Sequence, residues 1–245
     1  MKDLIFRCSA VGELMGAKGL GLTGQKRAMY SYIEQFEGRS KEIKSKYLEK
    51  GILNEVGAIE LVNEVLGTDY VKNDERITND FLTGECDIDK KDTISDIKCS
   101  WDRFTFADSI ISGVKDYEWQ LRGYMELWDR PKSQLIYCLT DAPDKMILTE
   151  LEKAAYPYGG DLPDFIAIRI ITNMIFDKDN FHRFLELAPI DRQAVSKKID
   201  SFVHIPKEKR VFCHSLERDQ TKTELMYSRI NDARTYVESI INPIN

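Results

Sequence analysis

The segment from Gly84 to Ser100, GECDIDKKDTISDIKCS, constrains the fold most because two alternating runs flank a short polar stretch. This pattern predicts a β-hairpin with strands ECDI and ISDIKC and a turn at DKKDT. Side chains two positions apart share one face of a strand, so Asp96 and Lys98 should point the same way. Glu85 and Asp87 should share a face of the first strand. An Asp-x-Lys pattern alone is common and most often structural, so the hairpin needs support from the rest of the chain.

Apolar periodicity predicts helices on both sides of this hairpin. A helix is predicted over 51–67, where Gly67 ends an apolar stripe formed by Leu53, Val56, Ile59, Val62 and Leu66. A second helix is predicted over 114–128. Residues 70–82 and 133–140 are predicted strands, and the latter is apolar enough for a buried one. Residues 16–27 are predicted to form a basic, glycine-rich loop, followed by a helix from about Ala28.

This order of elements predicts one α/β domain over residues 1–245. Its core, about 1–140, should be a central mixed β-sheet flanked by helices. Residues 141–245 should form a mostly helical C-terminal extension, with one edge strand within 209–219 and a final helix over 224–241.

Composition narrows the class of protein. The formal net charge is −6 and the sequence pI about 5.3, which disfavours a protein that coats nucleic acid by its overall charge. Basic residues within 16–27 and 39–50 instead suggest local contacts to phosphates. The five cysteines form no CxxC pair, so neither a zinc knuckle nor a disulfide framework is indicated. Apolar runs are too short for a signal peptide or a membrane span, so we expect a cytoplasmic protein with no membrane partner.

The acids of the hairpin favour a metal site. Carboxylates aimed at one point repel each other and are costly to bury unless a cation neutralises them. Hard oxygen ligands suit Mg²⁺ or Mn²⁺. Lys98 would place a positive charge beside that ion, where it could meet a phosphate. A calcium-binding EF-hand does not fit, because DIDKKDTISDIK lacks glycine at its sixth position and glutamate at its twelfth.

Four short motifs occur in a fixed order along the chain: GILNE, GECD, DIK and QLRGY. Together they resemble the PD-(D/E)xK nuclease superfamily, in its RecB-like and YqaJ-like phage-exonuclease branch. The resemblance covers about residues 1–140 and implies a restriction-endonuclease-like core. The residues that match the motifs are Glu55, Asp87, Asp96, Lys98, Gln120 and Tyr124.

The resemblance also implies a metal centre. Asp87, Asp96 and the backbone carbonyl of Ile97 would bind Mg²⁺, with Mn²⁺ accepted in its place, and Glu55 would hold a metal-bound water or a second ion. Asp96 stands where many members have glutamate, which shortens the reach of this ligand. An iron–sulfur cluster is not expected, because the C-terminal half contains only Cys138 and Cys213.

Substrate contacts follow from the same resemblance. Lys98 would orient the attacking water and stabilise the transition state. Gln120 and Tyr124 would contact substrate phosphates, and Ser9 occupies the position of a phosphate-contacting serine in phage exonucleases of this kind.

The function that the resemblance implies is Mg²⁺-dependent hydrolysis of linear duplex DNA from its ends, in phage-type recombination or repair. Implied partners are DNA ends, a single-strand annealing protein and further copies of the chain, in the host cytoplasm if the protein is viral. Three alternatives stay open at this point. They are an endonuclease or junction resolvase on the same fold, a catalytically silent DNA-binding module, and an unrelated α/β protein with coincidental acids.

Individual site residues also have alternative interpretations. Glu85 lies on the same strand face as Asp87 and could be the ligand instead. Glu55 could simply flank the apolar stripe of its helix. Gln120 and Tyr124 could form a surface hydrogen bond one helical turn apart. The second helix could bury an aromatic and aliphatic stripe made of Tyr117, Leu121, Tyr124 and Trp128.

Overall fold

The computed structural model describes residues 1–41 and 45–242. Residues 42–44 of the basic stretch 39–50 therefore lie outside the described residues. The strands are β1 (Phe6–Arg7), β2 (Ile77–Thr78), β3 (Leu82–Gly84), β4 (Ile88–Lys90), β5 (Thr93–Cys99), β6 (Lys132–Cys138) and β7 (Val211–Glu217). The helices are α1 (Cys8–Val11), α2 (Leu22–Phe36), α3 (Lys46–Leu66), α4 (Arg103–Ser112), α5 (Glu118–Trp128), α6 (Asp144–Ala155), α7 (Asp164–Met174), α8 (Lys178–Leu185), α9 (Ser196–Asp200) and α10 (Gln220–Ile241).

The main sheet has the strand order β4-β5-β6-β7, with β5 and β6 parallel and the outer pairs antiparallel. Its hairpin, β4–β5, is confirmed, and Lys90 pairs with Thr93 across a two-residue turn. The first strand begins at Ile88, so the prediction that ECDI is a strand is wrong for Glu85 to Asp87. The reason is that Gly84 ends a strand of a second, smaller sheet, and the chain crosses between the sheets over these residues.

That smaller sheet has the order β1-β3-β2. The single strand predicted over 70–82 is observed as the two short strands β2 and β3. The Asn79 side chain makes the turn between them by accepting hydrogen bonds from the backbone N–H groups of Phe81 and Leu82, at 2.9 and 2.8 Å. Asparagine commonly stabilises turns in this way.

Helices cover both faces of the main sheet. On one face, Ala58, Ile59 and Val62 of α3 pack against Ile97 and Ile136. On the other, α4 and α5 contribute Phe106 and Leu121, which pack with Leu135 and Tyr137. The prediction of a mixed sheet flanked by helices is confirmed.

The set of residues that α3 buries differs from the predicted apolar stripe. It ends before Gly67, as predicted, and this glycine has a φ of 63°. Of the predicted stripe, Ile59 and Val62 are buried, but Leu53, Val56 and Leu66 are exposed. Only part of the helix lies on the sheet, because residues of its N-terminal half line an open cavity instead.

The helix α2 begins at Leu22, earlier than predicted, so the basic stretch 16–27 is only partly a loop. Its first turn is fixed by a hydrogen bond from the Gln25 backbone N–H to the carbonyl oxygen of Gly21, at 2.9 Å.

Residues 141–242 pack in two separate places. Helices α6 to α9 surround an apolar cluster of their own that includes Ile147, Ile171, Phe181 and Phe184. By contrast, β7 pairs with β6, and α10 joins the N-terminal core through Met226 and Ile230, among others. Among the described residues, no helix is long and apolar enough to cross a membrane.

Candidate active site

The centre of the site lies on β5. Asp96 and Lys98 point to the same side, as their spacing predicts, and Lys98 Nζ lies 2.6 Å from Asp96 Oδ2. The Asp96 carboxylate is almost completely buried. Burial alone would lower the pKa of Lys98, but the carboxylates of Asp96 and Asp87 outweigh that effect and raise it. Lys98 is therefore a fixed positive charge at this site.

Asp87 lies where the chain enters β4, and a hydrogen bond fixes it to the neighbouring strand. Its Oδ2 accepts from the backbone N–H of Ile97 at 2.5 Å. Burial and the adjacent Asp96 raise the pKa of Asp87 to about 7, although Lys98 and the Ile97 N–H oppose this rise. Asp87 and Asp96 thus form a pair of crowded carboxylates, as expected where a cation is to be bound.

Gln120 and Tyr124 join this pair from α5. Gln120 Nε2 donates to Asp96 Oδ1 at 2.9 Å and to the Tyr124 hydroxyl at 3.0 Å. Both side chains are buried, so the surface-pair interpretation is wrong. The stripe interpretation holds for its buried members Leu121, Tyr124 and Trp128, and Tyr124 serves both packing and the polar network.

Glu55 reaches the site from the opposite direction, on α3. It lines an open cavity of about 470 Å³ together with Asp87, Ile97 and Lys98. Its carboxylate is paired with Lys72, whose Nζ lies 3.1 Å from Glu55 Oε2. The N-terminal half of α3 adds an apolar rim to this cavity through the exposed side chains of Tyr47, Leu48 and Ile52.

Ser9, the predicted phosphate contact, and Glu85, the alternative metal ligand, lie outside this cavity. Ser9 is exposed and lines a neighbouring cavity of about 470 Å³, which it shares with Arg7, Arg76 and Tyr124. Glu85 also lines that neighbouring cavity and forms an ion pair with Arg76 at 2.9 Å. Glu85 is thus engaged away from Asp87, whereas Tyr124, which lines this neighbouring cavity, is linked to Asp96 through Gln120.

Sequence reasoning missed two residues of the site. Tyr117 lines the main cavity, and its ring centroid lies 4.9 Å from Lys98 Nζ. Lys72 falls within the strand predicted over 70–82, where the structure has a loop instead, and no motif of the sequence marks it.

The donor set fits a hard divalent cation. Among the described residues, Asp96 Oδ2 is a buried oxygen that makes no well-oriented hydrogen bond, although Lys98 Nζ lies beside it. Asp87 supplies a second crowded carboxylate, and oxygen donors of this kind are preferred by Mg²⁺ and Mn²⁺. The described residues contain no group of three or more His, Cys, Asp or Glu side chains arranged to hold one metal ion. The two aspartates would therefore need a backbone oxygen or water to complete the coordination.

Exonucleases are among the solved structures to which this chain is similar. A phage-related exonuclease from Haemophilus somnus 129PT is 25% identical to this chain, with a TM-score of 0.71, covering 99% of this chain and 97% of that one. An alkaline exonuclease from Laribacter hongkongensis, LHK-Exo, is 13% identical with a TM-score of 0.60, covering 98% and 91%. LHK-Exo has also been crystallised with dAMP, and that structure matches to the same extent. No protein-family model and no curated protein matches the chain.

The resemblance predicted from the motifs, to RecB-like and YqaJ-like phage-type exonucleases of the PD-(D/E)xK superfamily, is confirmed by these similarities, which support a nuclease.

Proposed function

We propose that this protein is a metal-dependent DNA exonuclease that hydrolyses phosphodiester bonds of linear duplex DNA. The observation that carries the proposal is the network of Asp96, Lys98, Gln120 and Tyr124, of which Lys98 lines an open cavity together with Asp87. The similarity to a phage-related exonuclease over almost the whole chain supports the same activity. A role in phage-type recombination or repair is part of the proposal.

Each side chain has a role that its surroundings support. Asp87, Asp96 and the Ile97 carbonyl would hold Mg²⁺ or Mn²⁺, which when bound supplies Lewis-acid activation of the phosphate and acidifies water. Lys98 provides a fixed donor in a partly dehydrated cavity, where loss of such a donor typically costs about 10²–10³ in rate. Gln120 holds the orientation of the Asp96 carboxylate through its hydrogen bond.

DNA as substrate is supported by the similarity to LHK-Exo, which was crystallised with dAMP. Arg7 and Arg76, beside Ser9 in the neighbouring cavity, are positive charges suited to a phosphate group. The contacts of Gln120, Tyr124 and Ser9 with phosphates remain predictions, as do an annealing partner and an oligomeric assembly.

Cleavage of matched linear and closed circular DNA tests the proposal. Purified protein is incubated with 5′-phosphorylated linear duplex or with covalently closed circles, in Mg²⁺, in Mn²⁺ or in EDTA. Lys98→Met removes the fixed donor. Lys90→Met is the matched control, because Lys90 also lies on the hairpin but pairs with Asp69 outside the cavity.

Metal-dependent degradation of the linear duplex alone, reduced at least a hundredfold by Lys98→Met and unchanged by Lys90→Met, is the expected result. Cutting of closed circles would replace the exonuclease by an endonuclease or junction resolvase. Binding of linear DNA without cleavage in either metal would leave a catalytically silent binding module.

A further inference from the structure

The loop between α3 and β2 carries a lysine at a fixed place beside the candidate active site. On one side of Lys72, Tyr70 is tied to α3. Its backbone N–H donates to Asn63 Oδ1 at 2.7 Å, and its carbonyl accepts from Asn63 Nδ2 at 2.9 Å. On the other side, the Asn73 backbone N–H donates to the carbonyl of Asp87 at 2.8 Å.

A second bond strengthens that attachment, since Asn73 Nδ2 donates to the carbonyl of Cys86 at 2.9 Å. Lys72 is therefore held between the helix that carries Glu55 and the segment that carries Asp87. This is a built position and not the tip of a free loop.

The ammonium of Lys72 lies between two carboxylates. Its Nζ is 3.1 Å from Glu55 Oε2 and 3.6 Å from Asp74 Oδ1. The ion pair with Glu55 raises the pKa of Lys72 above its ordinary value. Glu55 is the residue that the sequence resemblance assigns to a second ion or a metal-bound water.

We propose that Lys72 is a resident cation that competes with a second divalent ion for Glu55. The inference rests on the proposed function, because it concerns the same acidic site. Under it, the two aspartates bind one divalent ion tightly, and a second ion binds at Glu55 only after displacing the lysine.

The balance of charge supports this assignment. The site holds the carboxylates of Glu55, Asp74, Asp87 and Asp96 against the ammonium groups of Lys72 and Lys98, which leaves two net negative charges. One divalent ion already neutralises that charge. A second would bring two further positive charges close to both lysines, which electrostatic repulsion disfavours.

Binding of Mn²⁺ alone, without DNA, measures the competition directly. The full chain is titrated with Mn²⁺ at pH 8 by calorimetry and by electron paramagnetic resonance of the free ion. The variants are Lys72→Met, which removes the charge, and Lys72→Arg, which keeps it. Lys207→Met is the matched control, because Lys207 forms an ion pair with Glu64 on the same helix at 2.7 Å.

For the wild type we expect one tight ion and a second, weaker one. Lys72→Met should tighten the second ion about tenfold, corresponding to about 1.4 kcal/mol. Lys72→Arg and Lys207→Met should leave both constants unchanged. Glu55→Gln combined with Lys72→Met should abolish the gain, and circular dichroism checks that each variant is folded.

An unchanged second constant in folded Lys72→Met would overturn the inference, and so would a gain that persists in the double variant. Either result would leave the proposed function intact if the first ion still binds and is lost in Asp96→Asn. Failure of the wild type to bind any Mn²⁺ would overturn both.

Discussion

Lys50 offers a quantitative test of how the site is held in place. Its side chain is completely buried, and its Nζ donates to the backbone carbonyls of Ser100 at 2.8 Å and Trp101 at 3.0 Å. It thereby fastens α3 to the end of β5, the strand that carries Asp96 and Lys98. Burial lowers the pKa of Lys50 from 10.5 to about 8, although nearby acidic groups oppose this change.

The lowered pKa has a definite effect on stability. Below about pH 8 the lysine is charged in both the folded and the unfolded chain, and the folded state carries the full cost of burying that charge. A difference of about 2.5 between the two pKa values corresponds to a cost of roughly 3 kcal/mol. As pH rises from 8 to 10.5 the folded state loses its proton first, so the cost disappears and the protein gains stability from this residue.

Lys50→Met removes the titration and both hydrogen bonds. Loss of the bonds should destabilise the variant at every pH by about 1–3 kcal/mol for each carbonyl left without a partner. The buried charge of Lys50 adds a pH-dependent contribution to the difference in free energy of unfolding between the two proteins. Between pH 7.5 and pH 10 the free energy of unfolding of the wild type should rise by about 2 kcal/mol relative to the variant.

Urea unfolding of the wild type and Lys50→Met at pH 7.5, 8.5, 9.5 and 10 measures this difference. Other groups that titrate over the range are common to both proteins and cancel. A difference in free energy that stays constant over the whole range would refute the reasoning, because the lysine would then have an ordinary pKa. If the wild type instead lost stability relative to Lys50→Met as pH rises, the pKa of Lys50 would be raised in the folded protein and not lowered.

Three further substitutions test other parts of the site. Asp87→Asn should raise the free energy of unfolding by about 2 kcal/mol at pH 8 in EDTA, because burial raises the pKa of this carboxyl to about 7 and the folded state therefore resists its charged form. Below pH 4 the carboxyl is neutral in the folded state and the substitution should have no effect. Thermal melts at both pH values check this, and an effect at pH 4 would contradict it. Gly84→Ala would place a methyl group 2.7 Å from the Tyr124 ring and should cost about 1–3 kcal/mol. Gly57→Ala in α3 meets no atom within 4 Å and should stabilise the protein by up to about 1 kcal/mol, and urea unfolding compares the two variants directly. Tyr124→Phe removes the hydroxyl that accepts the Gln120 hydrogen bond. DNA cleavage should slow by up to about tenfold, while the free energy of unfolding changes by about 1 kcal/mol or less. Cleavage at the wild-type rate would exclude a role for the hydroxyl.

The local periodicity of the sequence predicted those parts of the site that depend on a single element. Period two placed Asp96 beside Lys98, and the spacing of one helical turn placed Gln120 beside Tyr124. What it could not predict was the extent of contact between elements. Val56 continues the apolar periodicity of α3 but is exposed in the structure. The periodicity does not reveal which part of a helix packs on the sheet, so it could not predict this exposure.

Local periodicity also could not predict contacts between distant segments. Lys72 lies in a loop without a periodic pattern, and hydrogen bonds of Asn63 and Asn73 fix its distance from Glu55. Glu85 and Asp87 lie two residues apart, which in one strand would put both on one face. The chain changes sheets between them, and Glu85 pairs with Arg76 instead.

The countercharges explain how such a site is tolerated in a folded chain. The crowded carboxylates of Asp96 on β5 and Asp87 just before β4 would repel each other strongly if Lys98 were absent, and a third carboxylate, Glu55, lies on α3. Lysines from β5 and from the loop before β2 form ion pairs with two of these three acids. Since each lysine is a weaker and more mobile partner than a divalent ion, the folded chain can form without metal and still leave its aspartates available. Buried arginines in place of these lysines would hold the carboxylates in bidentate pairs, and such a site would bind metal less well.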